Sequence, residues 1–270
     1  MQRTLARRAG AAIVFAIVAA APAGAQIDYR NLDDDRPTRV EDAYPTERYA
    51  FEFIVPYSYA RDRTGAVIQA SVLELVYGVF RNTQVGLKAP LVGVRSSGAT
   101  TTWGLSGLRA FALYDFNTEG RLLPAVALRI DAAFPVGSLG GDETQVALKG
   151  IVTRSWGPTR LHLNGAVRLG RDAPGAVIEG IERWWYGAAL DRTLFRPSVL
   201  LVGEVYAARE IGVAPVEVNA SLGVRWQWRP TAVIDVGVAR RLREGLGPDY
   251  AVTIGMSNAF AIARLMPRGR

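Results

Sequence analysis

From Arg48 to Phe260 the chain alternates apolar and polar residues two by two, and this period constrains the fold before any other feature does. Successive side chains of an extended strand point to opposite faces, whereas a helix repeats its apolar positions every three or four residues. Tyr49, Phe51, Phe53, Val55 and Tyr57 share one face, with Glu52 and Ser58 on the other. Leu73, Leu75, Tyr77 and Val79 oppose Glu74, and Val85, Leu87, Ala89 and Leu91 oppose Gln84 and Lys88. Leu108, Ala110, Ala112, Tyr114 and Phe116 oppose Arg109 and Asp115, and Leu122, Val126, Leu128, Ile130 and Phe134 oppose Arg129 and Asp131. The same rule recurs through Lys149, through His162 and Arg168, through Glu204, through Glu217 and Arg225, through Asp235, and through Thr253 and Ser257. One segment, Trp184 to Asp191, is ambiguous in its facing. The count comes to twelve strands.

The connections alternate in kind. Arg81-Asn82-Thr83, Asn117-Thr118-Glu119-Gly120, Trp156-Gly157-Pro158-Thr159 and Arg229-Pro230-Thr231 read as tight turns. Gly93 to Thr102, Pro135 to Glu143, Arg171 to Arg183 and Arg241 to Asp249 read as longer loops. Short turns on one side and long loops on the other are the arrangement of a bacterial outer-membrane barrel. No uninterrupted apolar stretch of the mature chain is long enough for a membrane helix, so a membrane-embedded form has to be a closed barrel. The expected fold is therefore all-β: an antiparallel up-and-down transmembrane barrel of about twelve strands, residues 48–260. A soluble barrel or sandwich would share the alternation but bury its apolar face. Segment lengths and two belts of aromatics favour lipid. Tyr49, Phe80, Tyr114, Phe116, Trp156, Phe195, Trp228 and Phe260 lie by the short turns, and Tyr57, Tyr59, Phe134, Trp184, Trp185 and Tyr250 towards the other rim.

The flanks read differently. Arg3, Arg7 and Arg8, an apolar run from Ala11 to Ala20 and Ala23-Gly24-Ala25 make residues 1–25 an export signal with a small-residue cleavage site. Removing its three arginines lowers the formal charge from +7 to +4, and no Lys/Arg block suggests nucleic acid. With no cysteine there is neither a disulfide framework, a thiolate metal site nor a lipoprotein anchor. Residues 26–47, with Asp33-Asp34-Asp35 and two prolines, lack periodicity. They read first as a disordered leader, with a flexible arm or partial plug as the alternative. Gly255, Met256 and Phe260 match the terminal signal read by the barrel-insertion machinery, although Asn258 departs from it and a tail, residues 261–270, follows.

Three stretches carry a family likeness: EDAYPTERYAFEF (Glu41 to Phe53), LELVYGVFRNTQVGLKAPL (Leu73 to Leu91) and IDVGVARRLREGLGPDYAVTIGMSNAF (Ile234 to Phe260). They resemble the exported barrel proteins of the "meta-pathway of phenol degradation" family. The resemblance implies a transporter-like outer-membrane barrel, tied in some relatives to uptake of aromatic or hydrophobic compounds. It brings no catalytic residues.

The functional candidates are the ionisable residues on the polar faces: Glu52, Glu74, Lys88, Arg109, Arg129, Asp131, Lys149, His162, Arg168, Glu204, Glu217, Arg225 and Asp235. Charges lining a pore select which solutes enter, whereas a closed electrostatic network would merely fill the barrel. His162 is the sole histidine and shares its strand with no serine, so it reads as a lumen residue rather than a catalytic one. A single histidine without cysteine offers no metal-ligand spacing, and no cofactor motif is present. Gly137 to Gly141 is a loop, since no helix follows to make it a phosphate cradle. The expected function is passive passage of small solutes through an outer-membrane channel, with lipid and the insertion machinery as partners. The alternatives are a structural or adhesive barrel and, more weakly, a lipid-modifying enzyme.

Overall fold

The period of two is realised as extended strands throughout. A computed structural model describes residues 27–169, 183–209, 216–243 and 248–266. The expected signal segment, most of the Arg171 to Arg183 loop and the last four residues of the tail lie outside the described residues. The strands are β1 (Ala50–Arg61), β2 (Val67–Phe80), β3 (Thr83–Arg95), β4 (Thr102–Leu105), β5 (Leu108–Asn117), β6 (Ala125–Phe134) and β7 (Gln145–Trp156). They continue as β8 (Thr159–Leu169), β9 (Trp184–Thr193), β10 (Val199–Arg209), β11 (Glu217–Arg229), β12 (Ala232–Arg241) and β13 (Tyr250–Ala261). Among the described residues no helix is long and apolar enough to cross a membrane.

Every neighbouring pair is antiparallel, and β1 closes the ring on β13 in an unbroken register from Ala50↔Ala261 to Arg61↔Tyr250. Twelve strands form the wall. The short β4 is the outer continuation of β5 on the same neighbour, β3. Lys88 faces Arg109 and Leu91 faces Leu105, so two residues of β3 oppose three of the β4–β5 segment. That surplus residue is a β-bulge at Ser106–Gly107, and the positive φ of Gly107 (81°) lets the backbone turn there. The bulge shortens the expected Gly93 to Thr102 loop, because both flanking strands run further than their alternation indicates.

Leu87, Leu128, Ile130, Leu190, Leu222, Val238 and Ile254 all point outward and are exposed, Leu87 at 62 %. A continuous apolar wall of this size is incompatible with water and suited to hydrocarbon. Phe80, Tyr114, Phe116, Trp156, Phe195 and Trp228 are exposed near the short turns, and Tyr57, Phe134 and Tyr250 near the opposite rim. Two readings change. Trp185 turns inward and is 4 % exposed, because in β9 it is Tyr186, Ala188 and Leu190 that face out. Leu122 lies outside any strand: β6 starts at Ala125, and Pro124, which has no N–H to give a ladder, marks the end of a seven-residue turn.

Candidate functional site

The interior of the barrel is charged, and the N-terminal arm runs through it. All the polar-face candidates from Glu52 to Asp235 are buried inside the wall. The arm, residues 27–47, buries Leu32, Arg36, Thr38, Val40, Glu41, Asp42 and Ala43 among them. The structure thus replaces the disordered leader with a segment docked in the lumen. Two kinds of contact dock it, ionic and steric.

A central cluster gathers three strand cations on two arm carboxylates. Asp34 lies 2.9 Å from Lys88, 3.2 Å from Arg129 and 2.5 Å from Lys149. Glu41 is 2.8 Å from Arg129 and 2.9 Å from Lys149. Asp131 grips the other edge of Arg129, and Glu74 lies 3.3 Å from Lys88. A second cluster surrounds Arg36 of the arm, which meets Asp235 at 2.6 Å and Asp33 at 2.5 Å, with Glu52 at 3.6 Å. Asp33 is shared with Arg225 of β11 at 2.7 Å. Backbone N–H groups of the arm complete the docking: Val40 donates to Glu204, Glu41 to Asn164, Ala43 to Thr153 and Thr46 to Gln84.

The third cluster holds His162. Its Nε2 lies 3.0 Å from Asp191 and its Nδ1 3.0 Å from the Thr153 hydroxyl, while Arg160 bridges Asp191 to Asp42 of the arm. An acid, a histidine and a hydroxyl in a row have the parts of a nucleophilic array. Here, however, His162 and Thr153 are fully enclosed, and the Thr153 hydroxyl already accepts the Ala43 N–H. The row ties β7, β8 and β9 to the arm and presents no nucleophile to a substrate. Of the remaining candidates, Arg168 donates to Gln145, and Arg109 stands opposite Lys88 across the β3–β5 rung.

Sterically, the wall makes room for the arm with glycines on its inner face. A Cβ on Gly237 would lie 2.0 Å from the Pro37 carbonyl oxygen, and one on Gly223 would lie 2.6 Å from the Pro37 ring. Leu32 and Val40 pack on Trp185, Leu200 and Val202. Arg39 stacks over Trp185 and Tyr206 at 4.8 and 5.1 Å. Beside the central cluster the remaining space measures about 20 Å³, enough for roughly one water. At the short-turn end a vestibule of about 380 Å³ opens between Arg30, Tyr44, Glu47, Glu52 and Arg160.

Burial dominates the ionisation of the arm. It pushes the Asp42 carboxyl up to about 6, against the pull of Arg160 and His162. Burial also raises the Tyr44 phenol to about 12, helped by the Glu119 carboxylate. Asp34 behaves oppositely: burial opposes its charge, but Lys149, Lys88 and Arg129 together outweigh it and hold the carboxyl well below the usual range.

Arg160 and Asp191, which tie His162 to the arm, escaped the candidate set, as did the arm's own Asp33, Asp34, Arg36, Glu41 and Asp42. Glycines 187, 223 and 237 fall on the polar faces of their strands, the available sign that something occupies the lumen.

No family model matches the chain, and no curated protein matches it in sequence. Solved structures do match in fold. An outer-membrane channel from Pseudomonas putida F1 superposes with a TM-score of 0.61 at 16 % identity, covering 81 % of this chain and 98 % of that one. The KdgM porin gives 0.51 at 12 % identity (77 % and 99 % covered), and the NanC porin gives 0.52 at 8 % (76 % and 98 %). The chain shares its barrel fold with these outer-membrane channels and porins.

Proposed function

We propose that this chain is an outer-membrane channel or facilitator through which small molecules pass down their gradient, with the docked arm governing passage. The single observation that carries the reading is the polarity of the closed wall, apolar outside and ionised inside. Its strands of 10–14 residues, β4 aside, have the length a tilted strand needs to cross a bilayer. An ionised interior suits a hydrated path, and a segment bound through side chains and ion pairs is releasable in a way that a covalent wall is not. Residues 1–25 supply export, the insertion machinery assembles the barrel, and the bacterial outer membrane is its location. Aromatic or hydrophobic compounds are the solutes that the likeness to the phenol meta-pathway barrels favours.

Planar-bilayer recording of the purified mature chain tests the reading. Discrete openings under applied voltage are expected. A barrel that is folded, inserted and silent at every voltage contradicts it.

A further inference from the structure

Arg109 is the odd member of the charged interior. It is the second residue of β5, two residues from Gly107 of the Ser106–Gly107 bulge, and bulges re-aim neighbouring side chains at barrel rims and sites. Its side chain is buried, the residue 5 % exposed, and among the described residues neither Nε nor Nη2 has a hydrogen-bond partner. Its rung partner is a second cation, Lys88. Like charges directly opposite on a sheet repel unless each is neutralised. Lys88 is neutralised by Asp34 and Glu74 at 2.9 and 3.3 Å, whereas among the described residues no ion pair reaches Arg109.

Two other arginines of this barrel show what the Nε/Nη2 edge takes. Arg129 places Nε 2.9 Å and Nη2 2.8 Å from the two oxygens of Asp131. Arg160 places Nε 3.2 Å from Oδ1 and Nη2 2.6 Å from Oδ2 of Asp191. In both, the planar edge holds a carboxylate by two parallel hydrogen bonds. Arg109 offers the identical edge with no carboxylate of the described residues on it.

We propose that Arg109 is the recognition residue of a carboxylate subsite beside the docked arm, taking a small organic monocarboxylate. One planar edge and one unneutralised cation fit a single carboxylate, whereas a phosphate dianion calls for a second free cation that Lys88 does not supply. The subsite deepens the reading of the barrel as a solute passage and rests on it: Arg109 shares a rung with Lys88, beside the Asp34–Lys88 pair.

The test is thermal unfolding of the detergent-solubilised mature barrel titrated with sodium benzoate, with benzyl alcohol as the neutral control. Wild type is expected to gain a saturable rise in Tm with benzoate and none with the alcohol. Arg109→Gln removes the rise, and Arg109→Lys, which keeps the charge but loses the fork, retains a fraction of it. Heat-modifiable gel migration establishes that each variant is a folded barrel. Absence of a rise in wild type, an equal rise in Arg109→Gln, or an equal rise with benzyl alcohol overturns the subsite. The readout needs no current, so the two readings fail separately. Arg109-dependent binding in a barrel that never conducts refutes the passage, and conduction without Arg109-dependent binding refutes the subsite.

Discussion

Nη1 of Arg36 lies 2.6 Å from Oδ2 of Asp235, and both side chains are sealed from solvent although 199 residues separate them. The pair joins the arm to β12 in the interior of the barrel. It defines the state of the lumen: while it holds, Asp33, Arg225 and Glu52 stay gathered around it.

Asp235→Asn should loosen the arm while leaving the wall intact. Removing one member of a buried pair strands the other charge and typically costs about 3–5 kcal/mol. Asp33 remains beside Arg36, so an arm-docking loss of about 3 kcal/mol is expected. Because the chain has no cysteine, Thr38→Cys gives a clean reporter at a buried arm position. Maleimide should label it slowly in the parent and at least tenfold faster with Asp235→Asn added.

Gly237→Ala attacks the same docking by volume instead of charge. The new methyl meets the Pro37 carbonyl oxygen at 2.0 Å and the Thr253 hydroxyl at 2.6 Å, and the first of these is backbone. Overpacking of this kind costs about 1–3 kcal/mol. The expected result is a higher open probability than wild type, at unchanged single-channel conductance of the fully open state. Gly150→Ala is the control, since its Cβ meets nothing within 4 Å.

The pH response has two opposing limbs. Asp42, raised to about 6 by burial, binds its proton more tightly in the docked arm than in a released one. Docking therefore strengthens as pH falls from about 7 towards about 4. Asp34 is depressed by Lys149, Lys88 and Arg129, so its contribution is complete above about pH 4 and disappears as pH falls below that. Open probability should pass through a minimum near a pH of about 4 and rise again in stronger acid. Asp42→Asn should flatten the limb between about pH 7 and about 4 and leave the acid limb in place.

His162→Ala tests whether the Asp191–His162–Thr153 row is structural. The substitution leaves the Asp191 and Thr153 atoms without their ring partner, a loss of about 1–3 kcal/mol that a lower Tm in detergent will register. Phospholipid composition of cells carrying the variant should match wild type. A change in lysophospholipid content would restore a catalytic role for the row.

Alternation made the wall legible because a side-chain period of two leaves one face for lipid and one for the lumen, and Leu87 against Lys88 or Leu128 against Arg129 states that choice locally. It misled where local pattern was silent. Trp184 and Trp185 are both aromatic, so parity could not be assigned to β9, and Trp185 proved to pack on the arm. The Ser106–Gly107 bulge was invisible because one inserted residue resets parity without changing composition. The arm was the largest gap: Asp34 and Arg36 find strand partners 54 and 199 residues away, and the arm has no period of its own. Its acidic run has meaning only beside Lys88, Arg129, Lys149 and Arg225, which the fold alone brings together.

The most direct measurement compares, in the same planar bilayer, the mature chain with a chain that begins at Arg48. If the arm occupies a passage through a lipid-embedded wall, the shortened barrel will show a persistently open conductance several times the time-averaged value of the full chain. If the shortened barrel is folded and inserted yet passes no more current than the full chain, the arm does not govern a passage and the account is wrong.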